Sequence, residues 1–209
     1  NMNNKYDAKN RYFGSVANNY VNDRKSAKWD KEQKLFKNTF QKLGKELKVI
    51  DIPAGTGRFF EFYSLLNYDV TAVDISSDML EVAKRKAPKD LKVIYKVADA
   101  ESLMPSEKKI DCVICARFLN WLPEDVFYKV LNNFKRLTSE HLLIQVRLKK
   151  RALFSELLND FKNQLQLKKI KRLLIKILLK NKVYNDYFVH SYFDTINYLQ
   201  ESFDLISIQ

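Results

Sequence analysis

Three aspartates and a glycine-bearing turn stand at spacings that suit a nucleoside ligand. In VIDIPAGTGRFF (49–60) an apolar run ends in Asp51, a tight turn with Gly55 and Gly57 follows, and a helical pattern begins. Glycine has no Cβ, so a ligand can lie against the main chain there. The free N–H groups of the next helix point at the same spot. Asp74 ends a second apolar run, 23 residues after Asp51. A carboxylate at that place can accept both hydroxyls of a ribose. Asp99 follows a third run, where a carboxylate can accept from an exocyclic amino group such as that of adenine. Asp51 could hold an ammonium group or its waters. The set describes an adenosine-containing ligand with a cationic end. Aspartate also ends strands well in its own right, and that reading stays open for each residue singly.

The elements that must position these residues alternate. Residues 47–52, 69–73, 91–97, 110–115 and 141–146 read as strands. Residues 58–66, 77–86 and 124–137 read as helices, with Ser77 as N-cap of the second and Pro123 at the first turn of the third. A longer helix over 29–43 precedes them, with Trp29, Leu35, Phe36, Phe40 and Leu43 near one face and Gly44 as its C-cap. A short helix over 8–20 is plausible from Val16 and Tyr20 at i, i+4. Alternation predicts an α/β fold, a doubly wound and mostly parallel sheet whose ligands bind at the carboxyl ends of the strands. After Arg147 the rhythm stops. Residues 149–182 read as one or two basic, apolar helices, and a helix (191–200) and a sixth strand (203–208) follow.

Taken in order, VIDIPAGTGRFF, YDVTAVDISSDMLEVAKRKAP, VADAESLMP and IDCVICARFLNWLPEDVFYKVLNNFKRL resemble the four motifs of class I S-adenosylmethionine-dependent methyltransferases, of the small-molecule, ubiquinone-biosynthesis-like type. The resemblance runs from about Tyr12 to Gln209 and implies a Rossmann-like methyltransferase fold. It implies S-adenosylmethionine as cofactor, held by Asp51, Pro53, Ala54, Gly55 and Gly57, by Asp74 at the ribose, and by Ile75 and Met79 against the adenine. It places Asp99 and Ala100 at the adenine amino group, and Arg117 and Phe118 beside the cofactor. Tyr12, Tyr20 and Arg24 resemble a lid; a helix packing on the sheet is the equal alternative. Trp121, Asn120 and Tyr187 would face the acceptor. His190 is the candidate base, since a hydroxyl acceptor needs one whereas a nitrogen needs little beyond positioning. His141, opening a strand at the far end, is structural.

The sequence departs from the family in two ways. Pro53 stands where the first glycine of the loop is usual, which is tolerable only if that site does not need φ > 0. The usual seventh, antiparallel strand is missing, so either the sequence is a piece of a longer protein or the sheet edge is covered otherwise. The expected organisation is one methyltransferase domain: an N-terminal helical lid (1–46), a cofactor-binding core (47–148), a basic helical insertion (149–186), and a last helix and strand (187–209).

Composition narrows the partners. The 209 residues are 46% hydrophobic and 13% aromatic, which is globular rather than disordered. No run reaches the ~18–20 apolar residues of a membrane span, and a cytoplasmic location follows as the expectation. The formal charge of +12 is concentrated: between Arg147 and Lys182 stand twelve Lys and Arg against Glu156 and Asp160. In 166–182, Leu167, Ile170, Leu174, Ile177 and Leu178 form an apolar stripe, with Lys168, Lys169, Lys171, Arg172 and Lys176 mostly off it. It reads as a cap over the acceptor pocket or a contact with a partner domain, as a peripheral contact with the anionic inner face of a membrane, or as a nucleic-acid site. No aromatic lies between Phe161 and Tyr184, so base stacking is not provided for. The order of the four motifs, and so the family resemblance, implies a small molecule, a lipid headgroup or a glycan end as the methyl acceptor. An RNA methyltransferase and a non-catalytic cofactor-binding module are the alternatives. No metal site is expected. Cys112 and Cys115 are three apart on a strand and so point to opposite faces, with no second pair to complete a zinc site.

Overall fold

A computed structural model describes residues 12–14, 16–17, 27–103, 110–138, 140–146, 194–195 and 198–199. The chain divides into two compact units, 1–145 and 146–209. In the first, α1 (Ala27–Leu43) leads into β1 (Lys48–Asp51), α2 (Phe60–Leu65), β2 (Asp69–Asp74), α3 (Ser77–Lys86) and β3 (Lys92–Val97). β4 (Cys112–Cys115), a 3-10 turn (Leu119–Trp121), α4 (Glu124–Leu137) and β5 (His141–Ile144) complete it. The strands form one sheet in the order β3-β2-β1-β4-β5, and every pairing is parallel. This is the predicted doubly wound sheet. The expected sixth strand and the basic helices lie outside the described residues, as does all of the helix predicted over 8–20 except Tyr12–Gly14 and Val16–Ala17.

Register puts the chemistry on one edge. Asp51 is opposite Ala72 and Ile114, and Asp74 is opposite Val97, so the acidic ends of β1 and β2 face the same loops as the end of β4. The central strand is dry: Val49, Ile50 and Asp51 are buried, as are all four residues of β4. A strand buried on both faces reads as a continuous apolar run rather than an alternation, and CVIC does so. Cys112 and Cys115 are part of that core, both free and both buried. Burial pushes the Cys112 thiol up to about 12 and the Cys115 thiol well above its ordinary range, so neither is poised as a thiolate.

The helices follow their apolar faces. α4 buries Phe127, Val130, Leu131, Phe134 and Leu137, an i, i+3, i+4 stripe. α3 buries Met79, Leu80, Val82 and Ala83 and carries Asp78 in its first turn and Lys84, Arg85 and Lys86 in its last, both matching the helix dipole. Its N-cap is Ser76, not the predicted Ser77: Ser76 Oγ accepts from the Met79 amide at 3.2 Å, the geometry a serine cap supplies. Pro123 is likewise the residue before α4 rather than inside its first turn. α2 is six residues, shorter than predicted, because the turns that begin at Gly55 run through Phe59. An aromatic cluster joins α1, α2 and the sheet. Phe36, Phe40, Phe59 and Tyr63 sit with neighbouring ring centroids 4.5–6.1 Å apart, the range in which tilted pairs are favourable.

Candidate functional site

The turn after β1 is bent by two glycines in the left-handed region, Gly55 at φ +55° and Gly57 at φ +74°. Gly57 is obligatory for a second reason. A Cβ there would lie 2.7 Å from Cδ2 of buried Phe60, whereas one on Gly55 would meet only Met79 Cε at 3.6 Å. Pro53 follows a cis peptide bond and is not among the residues with positive φ. The position that the family usually fills with glycine therefore does not need one here. The Ala54 amide donates to the Val73 carbonyl at 2.8 Å, which pins this turn to the end of β2.

Asp74 ties the first two loops together. Its Oδ2 accepts from the Gly55 amide at 2.8 Å and its Oδ1 from the Ser76 amide at 2.9 Å. Burial raises its pKa, and hydrogen bonds from the Ser76, Gly55 and Ile75 amides work against that rise. A carboxylate offers about four lone-pair sites, so these donors leave acceptor capacity for a hydroxyl. The third loop joins through the Ala98 amide, which donates to the Asp74 carbonyl at 3.0 Å. Asp99 Oδ1 accepts from the Glu101 amide at 3.0 Å. From beneath, Asn133 of α4 donates to the carbonyls of Ala100 and Glu101 at 3.0 and 2.9 Å. The N-terminal residues reach the same corner: Ser76 Oγ donates to the Tyr12 carbonyl, and the Gly14 amide donates to Asp78 Oδ2 at 2.7 Å.

Asp51 differs from the other two aspartates. It is 2% exposed, and its Oδ2 accepts from the buried Tyr63 hydroxyl at 3.1 Å. Burial pushes its pKa up to about 7. The Tyr63 bond and the charge of Arg58 pull it down, and the Asp74 charge adds to the rise. In this geometry Asp51 is turned to the core, not to the open side of the loop.

The loop after β4 carries Arg117 in a left-handed conformation, φ +57°, uncommon for a long side chain. Phe118 precedes the 3-10 turn that holds Asn120, which is buried, and Trp121, which is half-buried. Arg117 donates from Nε to Glu32 Oε2 at 2.8 Å, and its Nη2 is 2.6 Å from the same oxygen. Arg58, one residue past Gly57, reaches that oxygen at 3.2 Å and donates to Gln33 at 2.8 Å. Both guanidinium groups lie over the Trp29 ring, 3.9 Å (Arg58) and 4.9 Å (Arg117) from its centroid, within reach of a cation–π attraction. Burial would raise the Glu32 pKa; the hydrogen bond and charge of Arg117, joined by those of Arg58, outweigh it and hold the carboxyl below its usual range.

The structure thus gathers Pro53, Ala54, Gly55, Gly57, Asp74, Ile75, Met79, Asp99, Ala100, Arg117, Phe118, Asn120, Trp121 and the Tyr12 main chain at the carboxyl ends of the strands. Tyr20, Arg24, Tyr187 and His190 lie outside the described residues. Sequence reasoning did not single out Glu32, Arg58 or Tyr63. A signal existed for the first: Trp29, Glu32, Phe36 and Phe40 fall at i, i+3, i+7 and i+11, so one carboxylate rides on the face that packs inward.

Known proteins resemble this chain in sequence and in fold. Residues 49–141 match the family described as a methyltransferase domain. A malonyl-[acyl-carrier protein] O-methyltransferase of Hamiltonella defensa subsp. Acyrthosiphon pisum is 33% identical over 90 residues, 43% of this chain and 33% of that protein. The chain therefore spans about a third of the length of that curated relative. Among solved structures, magnesium protoporphyrin IX methyltransferase from Synechocystis PCC 6803, with bound SAH, superposes with a TM-score of 0.55. It is 16% identical, over 86% of this chain and 77% of its own. A Haemonchus contortus phosphoethanolamine N-methyltransferase, in complex with phosphoethanolamine and S-adenosylhomocysteine, gives 0.50 at 18% identity over 74% and 30%. At these identities the two structures speak for the fold.

Proposed function

We propose that this chain, whose residues 49–141 match the family described as a methyltransferase domain, is an S-adenosylmethionine-dependent methyltransferase that moves a methyl group from that cofactor to an N or O atom of a small molecule. The observation that carries the reading is the shared hydrogen bonding of Gly55, Asp74 and Ser76 beside Asp99, which makes one cradle from three strand ends. The named relatives, which methylate malonyl-acyl-carrier protein, magnesium protoporphyrin and phosphoethanolamine, favour a small-molecule acceptor over RNA.

The residues divide the work. Asp74 accepts the ribose hydroxyls with its remaining lone pairs. Asp99 accepts from the adenine amino group, and Met79 and Ile75 supply the apolar contact. The glycine turn lets the cofactor lie against the backbone. S-adenosylmethionine, when bound, supplies a methyl group already made electrophilic by its sulfonium, so the protein's main task is to hold the acceptor in line. Phe118, Asn120 and Trp121 border that side, and His190 remains the proposed base for a hydroxyl acceptor. Lipid headgroups and glycan ends belong to the same acceptor class, and the proposed setting is cytoplasmic.

Titration calorimetry with S-adenosylhomocysteine tests the cradle. Wild-type protein binds, and Asp74→Ala binds at least about tenfold more weakly, the effect of losing hydrogen bonds to a charged group. Absence of heat with either cofactor form in the wild type overturns the reading. Labelled cofactor incubated with cell extract then identifies the acceptor by its mass shift; binding without transfer to any component would make the chain a cofactor-binding module.

A further inference from the structure

We propose that Glu32 is a positioning residue that couples the cofactor turn to the loop bordering the acceptor. The inference rests on reading the glycine turn as the cofactor cradle. Arg58 belongs to that turn, one residue beyond Gly57, and Arg117 belongs to the loop after β4. The two loops leave adjacent strands, β1 and β4. Both arginines converge on one atom, Glu32 Oε2, supplied by α1 from 85 residues before Arg117. The Trp29 ring, three residues earlier on the same helix, faces both guanidinium groups.

Three physical features make this more than a surface ion pair. The side chains are mostly covered: 15% exposed for Glu32, 11% for Arg58 and 29% for Arg117. An ion pair so placed is screened less by water and salt than an exposed one. Next, Arg117 holds a left-handed backbone that a long side chain does not choose unaided, and such conformations persist only where surroundings over-determine them. Here the charge pair and the ring contact do so. Last, a single carboxylate serves two cations. Removing it takes away the one carboxylate oxygen that both guanidinium groups are shown to share, so the two loops lose that common contact at once. Filling the cradle fixes Arg58, Arg58 fixes Glu32, and Glu32 fixes Arg117 with Phe118, Asn120 and Trp121 behind it. Cofactor binding thereby shapes the acceptor side, a coupling of two sites through a shared contact.

Hydrogen–deuterium exchange of the full chain, with and without S-adenosylhomocysteine, tests this on the segments 55–60 and 116–122. In wild type, ligand protects both segments together. In Glu32→Ala without ligand, amides of 116–122 exchange about tenfold faster, the cost of lost charge-assisted hydrogen bonds, while β2 and β3 are unchanged. With ligand, 55–60 is still protected and 116–122 is not. Arg117→Asn, which tolerates the left-handed backbone but lacks the guanidinium, behaves the same way. Glu32→Gln keeps an oxygen acceptor and gives an intermediate rate. A merely structural role would loosen α1 and the sheet alike. Unchanged exchange at 116–122 in Glu32→Ala or Arg117→Asn, or undiminished ligand protection there in Glu32→Ala, overturns the proposal. If wild type binds no ligand, the cradle reading fails, while the ligand-free comparison still decides whether the ion pair holds the loop.

Discussion

The aspartate least open to solvent carries the largest penalty. Asp51 rises from an ordinary 3.8 to about 7 because it is buried. A carboxyl raised in the fold stays protonated there while the unfolded chain ionises, so stability falls as pH rises from about 4 to about 7. Above 7 the full penalty is present, on the order of 4 kcal/mol. Asp51→Asn should remove that slope and be more stable than wild type at pH 8, with little difference near pH 4; urea melts at the two pH values check it. The glycine turn makes a paired prediction. Gly57→Ala forces φ +74° on a side chain and drives Cβ into Phe60, costing roughly 2–4 kcal/mol. Gly55→Ala has room beside Met79 and costs only about 1–2 kcal/mol. Denaturant midpoints of the two variants, compared at constant slope, separate them.

Each element of the cradle is braced from behind. Tyr68, the residue before β2, donates to the carbonyls of Phe40 and Gly44 at 3.2 and 3.0 Å, fixing the end of α1. Phe40 is fully buried amid Phe36, Phe59 and Tyr63. Phe40→Ala should cost about 3–5 kcal/mol, read from equilibrium unfolding, and should loosen the Glu32 contact with it. The bounds of α3 and α4 were legible in the sequence because a polar–apolar period of 3.6 is a local signal. So were the aspartates, which sit where local strand signals stop. The reach of Glu32 to Arg58 and Arg117 was not legible, since it depends on which strands neighbour one another. Nor was the inward turn of Asp51, which depends on a tyrosine one helix later. The displaced N-cap was a choice between adjacent serines that only the Met79 amide resolves.

For the molecule as a whole, charge is the uneven property. The described residues include the glycine turn, Asp74 and Asp99, while most of the surplus positive charge lies in 147–182. Among the described residues, no helix is long and apolar enough to cross a membrane. We propose that segment 166–182 makes peripheral contact with an anionic surface. Replacing Lys168, Lys169, Lys171, Arg172 and Lys176 by glutamine should then abolish co-sedimentation with phosphatidylserine vesicles, at about 1 kcal/mol per basic residue, and leave S-adenosylhomocysteine binding intact. Wild-type protein that ignores such vesicles removes the idea.

The centre of the sheet has one more consequence. β1 pairs with β4 across the middle, and the entry to that pairing is clamped by Asp111. Its carboxylate accepts from the Lys48 amide at 2.7 Å across 63 residues of sequence, and its own amide donates to the Lys48 carbonyl at 2.9 Å. A chain leaving the ribosome therefore makes β1, β2 and β3 while one side of β1 has no neighbour. That bare strand edge persists for several seconds at ordinary elongation rates of about 5–20 residues per second, and such edges invite pairing with other chains. The edge closes only once β4 has been made, after β2 and β3, and Asp111 is the residue at which that closing begins.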